Sequence, residues 1–337
     1  MKKALCVILL LLLLTGCASR QEAAPSEPET QPPTQATQAA QPKETEPPAT
    51  QVIQEVEQEA EAMAEAPPPP VSIVLEPEAS GIRTASCEVA EVDHSHSEDG
   101  YIMVRYFGET ESRLKVLLKG PTTTYNYNLP QGQWTVFPLS DGDGSYQVGI
   151  YRNTSGTKYA TVMTAQLEVM LRDEFAPFLR PNQYVDYVDA PATMDLAAIL
   201  CDGLEQPLEK VAAVYDYVID NLSYDHERAA TVKSGYLPRL DEVLEAKKGI
   251  CFDYAALMTA MLRGQGVPCK LVVGYAGSTY HAWISVWTEE DGWIDGAIFF
   301  DGHTWKRMDP TFASSGAGNA EIMDLIEHGT YTVKYLY

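Results

Sequence analysis

Three side chains spread along the C-terminal part of this chain have the types and order for covalent chemistry: Cys251, His281 and Asp309. A thiol becomes an effective nucleophile when a base holds it ionised and returns its proton to a leaving group. That base in turn needs an orienter for its ring. His281 is the first histidine after Cys251, and Asp309, followed by Pro310 and Thr311, is the carboxylate best placed to follow. Asp295 and Asp301 are rival orienters, because Trp293-Ile-Asp295 partly imitates the run from Trp305 to Asp309. The Pro-Thr pair favours Asp309. Each residue alone has an ordinary alternative: a packed core thiol, a surface histidine at a strand end, a turn aspartate before proline.

The elements around these residues decide between the two. Leu240 to Lys248 has the pattern of a short helix, with Asp241 as N-cap, Glu242 early, Lys247 and Lys248 late, and Gly249 as the residue after its end. A second helix is predicted from Cys251 to Arg263. Its polar positions are only Asp253, Thr259 and Arg263, so it is expected to lie inside a domain. Cys251 then sits in the first turn, where free N–H groups and the helix dipole favour a thiolate. Upstream, Pro207 to Asn221 carries apolar residues at helical spacing behind an N-terminal proline. Downstream, Cys269–Tyr275, His281–Trp287 and Thr304–Asp309 read as strands, and Trp293–Phe300 as a fourth strand or a packed loop. Cys269, Met258 and Met261 are expected in the core. Antiparallel strands against the buried helix would bring His281 and Asp309 to the sulfur, the spatial logic of papain-like enzymes.

With these runs in view, the sequence resembles the transglutaminase-like core. The resemblance rests on Gly249-Ile-Cys251-Phe-Asp253-Tyr-Ala255, Gly266-Val-Pro268 through Gly274-Tyr275, His281-Ala-Trp283, and Trp305-Lys-Arg-Met-Asp309-Pro-Thr311, with Asn221-Leu-Ser-Tyr224-Asp225 as lead-in. It covers roughly Pro207 to Phe312. It implies an α+β fold, a papain-like transglutaminase core with a buried helix against an antiparallel sheet. It also implies Cys251 as nucleophile, His281 as general base and acid, and Asp309 as orienter. The family performs acyl transfer at amides through a thioester, as cross-linking enzymes, deamidases and peptidases, and some members have lost the triad. The expected partner is a protein or peptide substrate, with cell-wall peptide among the candidates, and no cofactor or metal is implied. The backbone N–H of Cys251 is the expected oxyanion donor, and the Tyr224 hydroxyl is a candidate second one.

The N-terminus suggests where such a protein works. Lys2 and Lys3 precede an apolar run, Ala4 to Leu14, and Leu14-Thr15-Gly16-Cys17 resembles a bacterial lipobox. This predicts a signal peptide over residues 1–16, lipid attachment to Cys17 and residence on the extracytoplasmic face of a membrane. Residues 17–80 are mostly an acidic Pro/Gln/Glu-rich tether without aromatics, a composition expected to stay disordered. The net charge of −23 argues against nucleic acid as a partner.

Residues 81–172 alternate in short apolar runs punctuated by Gly, Pro, Asn and Asp, predicting an all-β immunoglobulin-like sandwich before the core at 173–337. Asp143-Gly-Ser-Tyr146-Gln-Val-Gly-Ile-Tyr151 resembles a tyrosine corner. His94 and His96 form a ligand-like pair, but their Ser, Glu, Asp and Gly surroundings read as a loop rather than a metal site. Cys87, Cys201, Cys251 and Cys269 show no CxxC pair and no zinc-type spacing, while the expected compartment permits a disulfide. The alternative reading is a non-catalytic surface adhesion or scaffold lipoprotein that binds a partner through its sandwich.

Overall fold

The alternating runs become strands, some with one buried and one exposed face. The computed structural model describes residues 69–295, 298–300, 305–307 and 330–337. The first sheet joins β1 (Thr84–Ser86), β2 (Ala90–Asp93), β3 (Tyr101–Tyr106) and β6 (Thr135–Pro138). The second holds β4 (Leu114–Lys119), β5 (Thr124–Leu129), β7 (Gly144–Ser155) and β8 (Lys158–Val169), in the order β5-β4-β7-β8. Strand β5 shows the period of two: Tyr125, Tyr127 and Leu129 are buried while Thr124, Asn126 and Asn128 face solvent. Tyr127 meets Phe137 of β6 at 4.8 Å between ring centroids, so the two sheets share one core. The tyrosine corner forms: the Tyr146 hydroxyl donates to the Gly142 carbonyl at 2.8 Å, with the Leu139 carbonyl at 3.2 Å.

The helices follow: α1 (Pro191–Leu200), α2 (Pro207–Asn221), α3 (His226–Thr231), α4 (Leu240–Ala246) and α5 (Cys251–Gly264). Both α1 and α2 start with proline, which fits a position whose N–H is not needed. The two-residue strands β9 (Ser223–Tyr224) and β10 (Lys248–Gly249) follow α2 and α4 and pair with each other. A four-stranded antiparallel sheet in the order β13-β12-β11-β16 completes the core. It is built from β11 (Cys269–Ala276), β12 (Thr279–Thr288), β13 (Gly292–Asp295) and β16 (Tyr331–Leu336). Backbone strands β14 (Ile298–Phe300) and β15 (Trp305–Arg307) pair separately.

Helix α5 is the axis of this part. From Asp253 to Gly264 every residue is buried, and it packs on α1, α2, β11 and β12. Leu257, Met258, Met261 and Leu262 are fully buried, each contributing roughly 1.5–3 kcal/mol of hydrophobic stabilisation. Arg263 is buried too, because its guanidinium donates to the carbonyls of Cys269, Arg180 and Tyr337 at 2.9, 2.6 and 2.7 Å. That triple bond set ties the helix end to β11, to the segment leading out of the sandwich, and to the residue after β16.

Two local expectations are corrected. Asp241 does not cap its own helix; Arg239 is the N-cap of α4. The Asp241 carboxylate instead accepts from Thr193 N and Oγ1 at 2.8 and 2.7 Å and from Ala192 N at 3.1 Å, capping α1. The left-handed residue that ends α4 is Lys247, at φ 49°, not Gly249. Gly249 is needed for space: a Cβ there would lie 2.7 Å from the Asp253 Cβ. The end of the expected tether also departs from a free chain. Within residues 69–80, Ser72 Oγ donates to the Met194 carbonyl at 2.6 Å and Ile73 N to the Gly264 carbonyl at 2.7 Å.

Candidate active site

The nucleophile candidate opens the buried helix. Cys251 is the first residue of α5, half-buried, after Ile250 in extended conformation. Asp253 sits in the same turn and accepts from Ile250 N at 2.8 Å, half of a capping box, since Ile250 has no side-chain acceptor to complete it. Its other oxygen accepts from the Tyr236 hydroxyl at 2.6 Å, and Arg228 Nη1 donates to that hydroxyl at 3.1 Å while lying 3.7 Å from Asp253. Burial raises the Asp253 carboxyl above the usual range against the pull of these hydrogen bonds. Arg228 and Tyr236 lie in a stretch that reads as loop, so nothing local in sequence marks them as part of this site.

Pairing of β9 with β10 brings Tyr224 beside the backbone that leads to the cysteine. Tyr224 is the register partner of Gly249 in a parallel pair, and Asp225 N donates to the Gly249 carbonyl at 2.8 Å. The Tyr224 ring stands edge-on to His226 at 5.0 Å.

His281 lies two residues into β12 and is 4% exposed. Its ring stacks on Trp283 at 6.2 Å and lies edge-on to Tyr331 at 6.5 Å. Its register partner is Gly274, where a Cβ would fall 2.0 Å from the Thr332 carbonyl; the missing side chain lets β16 close over β11 at this level. Tyr280, the neighbour of His281, has its phenol pushed up by burial, then by Tyr335, Tyr275 and the Cys251 thiol. Helix α5, which begins with Cys251, packs against β12, which carries His281. Asp309 and the rival Asp301 lie outside the described residues, as does Cys17. Asp295 is exposed at the end of β13, where its charge acts on Lys270.

The remaining candidates resolve into structure. Cys87, Cys201, Cys251 and Cys269 are all free thiols. Cys269 is fully buried 3.7 Å from Thr259 Oγ1, and burial pushes its thiol up to about 11; Cys201 is raised for the same reason. His96 stacks on Tyr101, with Asp99 at 3.0 Å and Glu78 at 3.4 Å. Among the described residues no group of three His, Cys, Asp or Glu side chains converges to hold a metal.

Comparison with known proteins bears on the same region. Residues 195–296 match the sequence model of the transglutaminase-like superfamily. The uncharacterized protein YebA of Bacillus subtilis is 29% identical over 149 residues, spanning 38% of this chain and 20% of that one. A protein-glutamine gamma-glutamyltransferase of Pseudomonas aeruginosa is 29% identical over 120 residues, 31% of this chain and 17% of its own. The chain thus spans about a fifth of the length of these relatives. The periplasmic domain of TgpA from Pseudomonas aeruginosa aligns with 77% of this chain and 90% of its own at 17% identity and a TM-score of 0.32. The superfamily is one of cysteine-dependent acyl transfer and proteolysis, and this chain carries a transglutaminase-like domain over residues 195–296.

Proposed function

We propose that this protein is a cysteine-dependent acyl transferase or hydrolase of peptide or side-chain amides, with Cys251, His281 and Asp309 as its triad. The observation that carries this reading is the docking of α5, whose first residue is Cys251, against β12, which holds the buried His281.

The chemistry balances in two steps. The Cys251 sulfur attacks the amide carbonyl carbon as His281 takes the thiol proton. The C–N bond then breaks, and His281 returns that proton to the departing amine or ammonia, leaving a thioester. Water or a primary amine next attacks the thioester, giving its proton to His281, and the thiolate leaves and is reprotonated. The Cys251 backbone N–H has no intrahelical acceptor at the first helical position and is available to the oxyanion; the Tyr224 hydroxyl is the candidate second donor. Asp309 orients the imidazole.

The Leu14-Thr15-Gly16-Cys17 run supports attachment of lipid to Cys17 and work outside a membrane, on surface protein or cell-wall peptide.

The test gives purified protein and Cys251→Ala a glutamine-containing peptide library with and without a primary amine. Mass spectrometry separates cleavage, deamidation and amine incorporation. The wild type is expected to yield at least one of these products and Cys251→Ala none. Equal product from both sinks the reading.

A further inference from the structure

The hairpin that carries His281 also carries two tyrosines that the acyl-transfer chemistry does not use. Tyr275 on β11 pairs directly with Tyr280 on β12, around a turn that passes through Gly277 at φ 60°. Their rings meet edge to face at 5.5 Å. Tyr275 is 38% exposed and Tyr280 55%, whereas β12 from His281 to Val286 is nowhere more than 4% exposed. Two large aromatic rings therefore stand partly in solvent at the end of the strand, next in sequence to the proposed base.

A run of aromatic ring contacts links the start of α5 to the edge of this sheet, passing through the buried Tyr337. Phe252, the residue after Cys251, packs on Tyr184 at 5.6 Å; Tyr184 packs on Tyr337 at 4.4 Å, and Tyr337 on Tyr335 at 6.1 Å. Tyr335 is the register partner of Val273, two residues before Tyr275. The groups that act on the Tyr280 phenol are two other phenols and the Cys251 thiol, with no ammonium, guanidinium or carboxylate among them. An apolar side chain laid here would bury area against rings that lose little entropy on binding.

We propose that Tyr275 and Tyr280 are specificity-determining residues for the acyl donor. They receive an apolar or aromatic side chain of the substrate peptide, flanking the residue whose amide Cys251 attacks. This rests on Cys251 being the nucleophile. The bound peptide lies along the hairpin with its apolar residue on the two rings and its reactive amide toward the start of α5.

The experiment needs no known substrate. Peptidyl acyloxymethyl ketones, which alkylate an activated thiolate, are prepared with Phe, Leu, Gly or Glu next to the reactive residue. Their rates of labelling at Cys251 are measured on the full chain, with iodoacetamide as a small reagent that contacts neither ring. The wild type is expected to prefer Phe and Leu over Gly and Glu by about tenfold, the scale of a single apolar contact. Taken as a ratio to each variant's own iodoacetamide rate, Tyr275→Ala and Tyr280→Ala should each lose most of that preference, and Tyr280→Phe should keep it, because the ring rather than the hydroxyl makes the contact. Absence of a preference in the wild type, or its survival in both alanine variants, overturns the inference and leaves Cys251 as nucleophile untouched. Failure of Cys251 to react faster than Cys87 with either reagent refutes the acyl-transfer reading, and this inference with it.

Discussion

The Tyr236 hydroxyl donates to the buried Asp253 carboxylate at 2.6 Å, fastening the α3–α4 connection to the first turn of the helix that begins with Cys251. Asp253 spends both oxygens on structure, one on Tyr236 and one on Ile250 N, so it holds the cysteine's turn in place rather than orienting the base. Tyr236→Phe leaves a carboxylate oxygen short of a partner inside the protein, at a cost of about 1–3 kcal/mol. Burial already raises this carboxyl, and losing the phenol raises it further. A carboxyl raised in the folded state contributes stability at low pH that is lost as pH rises through its folded value. The deficit of Tyr236→Phe in urea unfolding should therefore be larger at pH 7 than at pH 4.5. A pH-independent deficit would show that the phenol acts on packing alone.

The contrast between Asp253 and Asp241 shows which parts of this molecule were readable. Helix α2 matches its expected span from Pro207 to Asn221, because its signals, an N-terminal proline and a periodic apolar face, are local. The same holds for α5, whose apolar circumference announces burial. Asp241 had the local grammar of a cap for its own helix, but it caps α1, 48 residues earlier in the chain. Nothing within a turn of Asp241 encodes that contact. Helix α1 itself and the terminal strand β16 escaped notice for a related reason. The first has a short, weakly periodic pattern, and the second, Tyr331-Thr-Val-Lys-Tyr-Leu336, is a strand because β11 offers it an edge. The helix that Cys251 opens and the strand that carries His281 were legible from local pattern; the network of Arg228, Tyr236 and Asp253 at the start of that helix is tertiary and was not.

Thiol reactivity separates the four cysteines among the described residues by environment. Cys269 is fully buried with its thiol at about 11, so at pH 8 only about one molecule in a thousand carries the thiolate. Cys201 is buried and raised as well. Iodoacetamide at pH 7.5 should label Cys251 first, with Cys201 and Cys269 reacting only after denaturation, as read by peptide mass mapping. Half-buried Cys87 is the internal control for access. His281→Ala should slow Cys251 and leave Cys87 unchanged. Equal rates at all four positions would remove the chemical distinction on which the triad depends.

Lys270 supplies a pH test of the junction between β11 and the segment after the sandwich. Its Nζ lies 3.4 Å from the Trp293 ring centroid and 4.9 Å from that of Phe178. Burial lowers its pKa from 10.5 to about 8, against the opposing charges of Asp295 and Glu174. The unfolded chain then binds more protons than the folded one between about pH 8 and 10.5, so this group makes the protein more stable as pH rises through that window. Lys270→Met removes the titration and keeps an apolar stem on the aromatic rings. Its stability relative to wild type, from urea midpoints, should fall between pH 7.5 and pH 10. A constant difference would mean that the ammonium is not desolvated in the folded state.

Arg263 concentrates more of the core's architecture than any other polar side chain on α5. Its guanidinium satisfies three carbonyls on three separate segments, and it is 1% exposed. Arg263→Met matches the length of the stem but leaves those acceptors to find other partners in the interior. At about 1–3 kcal/mol for each unsatisfied buried group, even partial relaxation predicts a loss of about 3 kcal/mol or more in denaturant unfolding. Arg263→Lys keeps the charge without the planar fork and cannot span three carbonyls, so it should fall between wild type and Met. The same bonds hold the end of α5 against β11 and Tyr337 against the helix, beneath the strands that carry Gly274 and His281. Hydrogen exchange in the variants should therefore speed up first in β16 and the adjoining part of β11, before the sandwich sheets respond. Uniform acceleration across both parts would instead show that Arg263 contributes only to global stability.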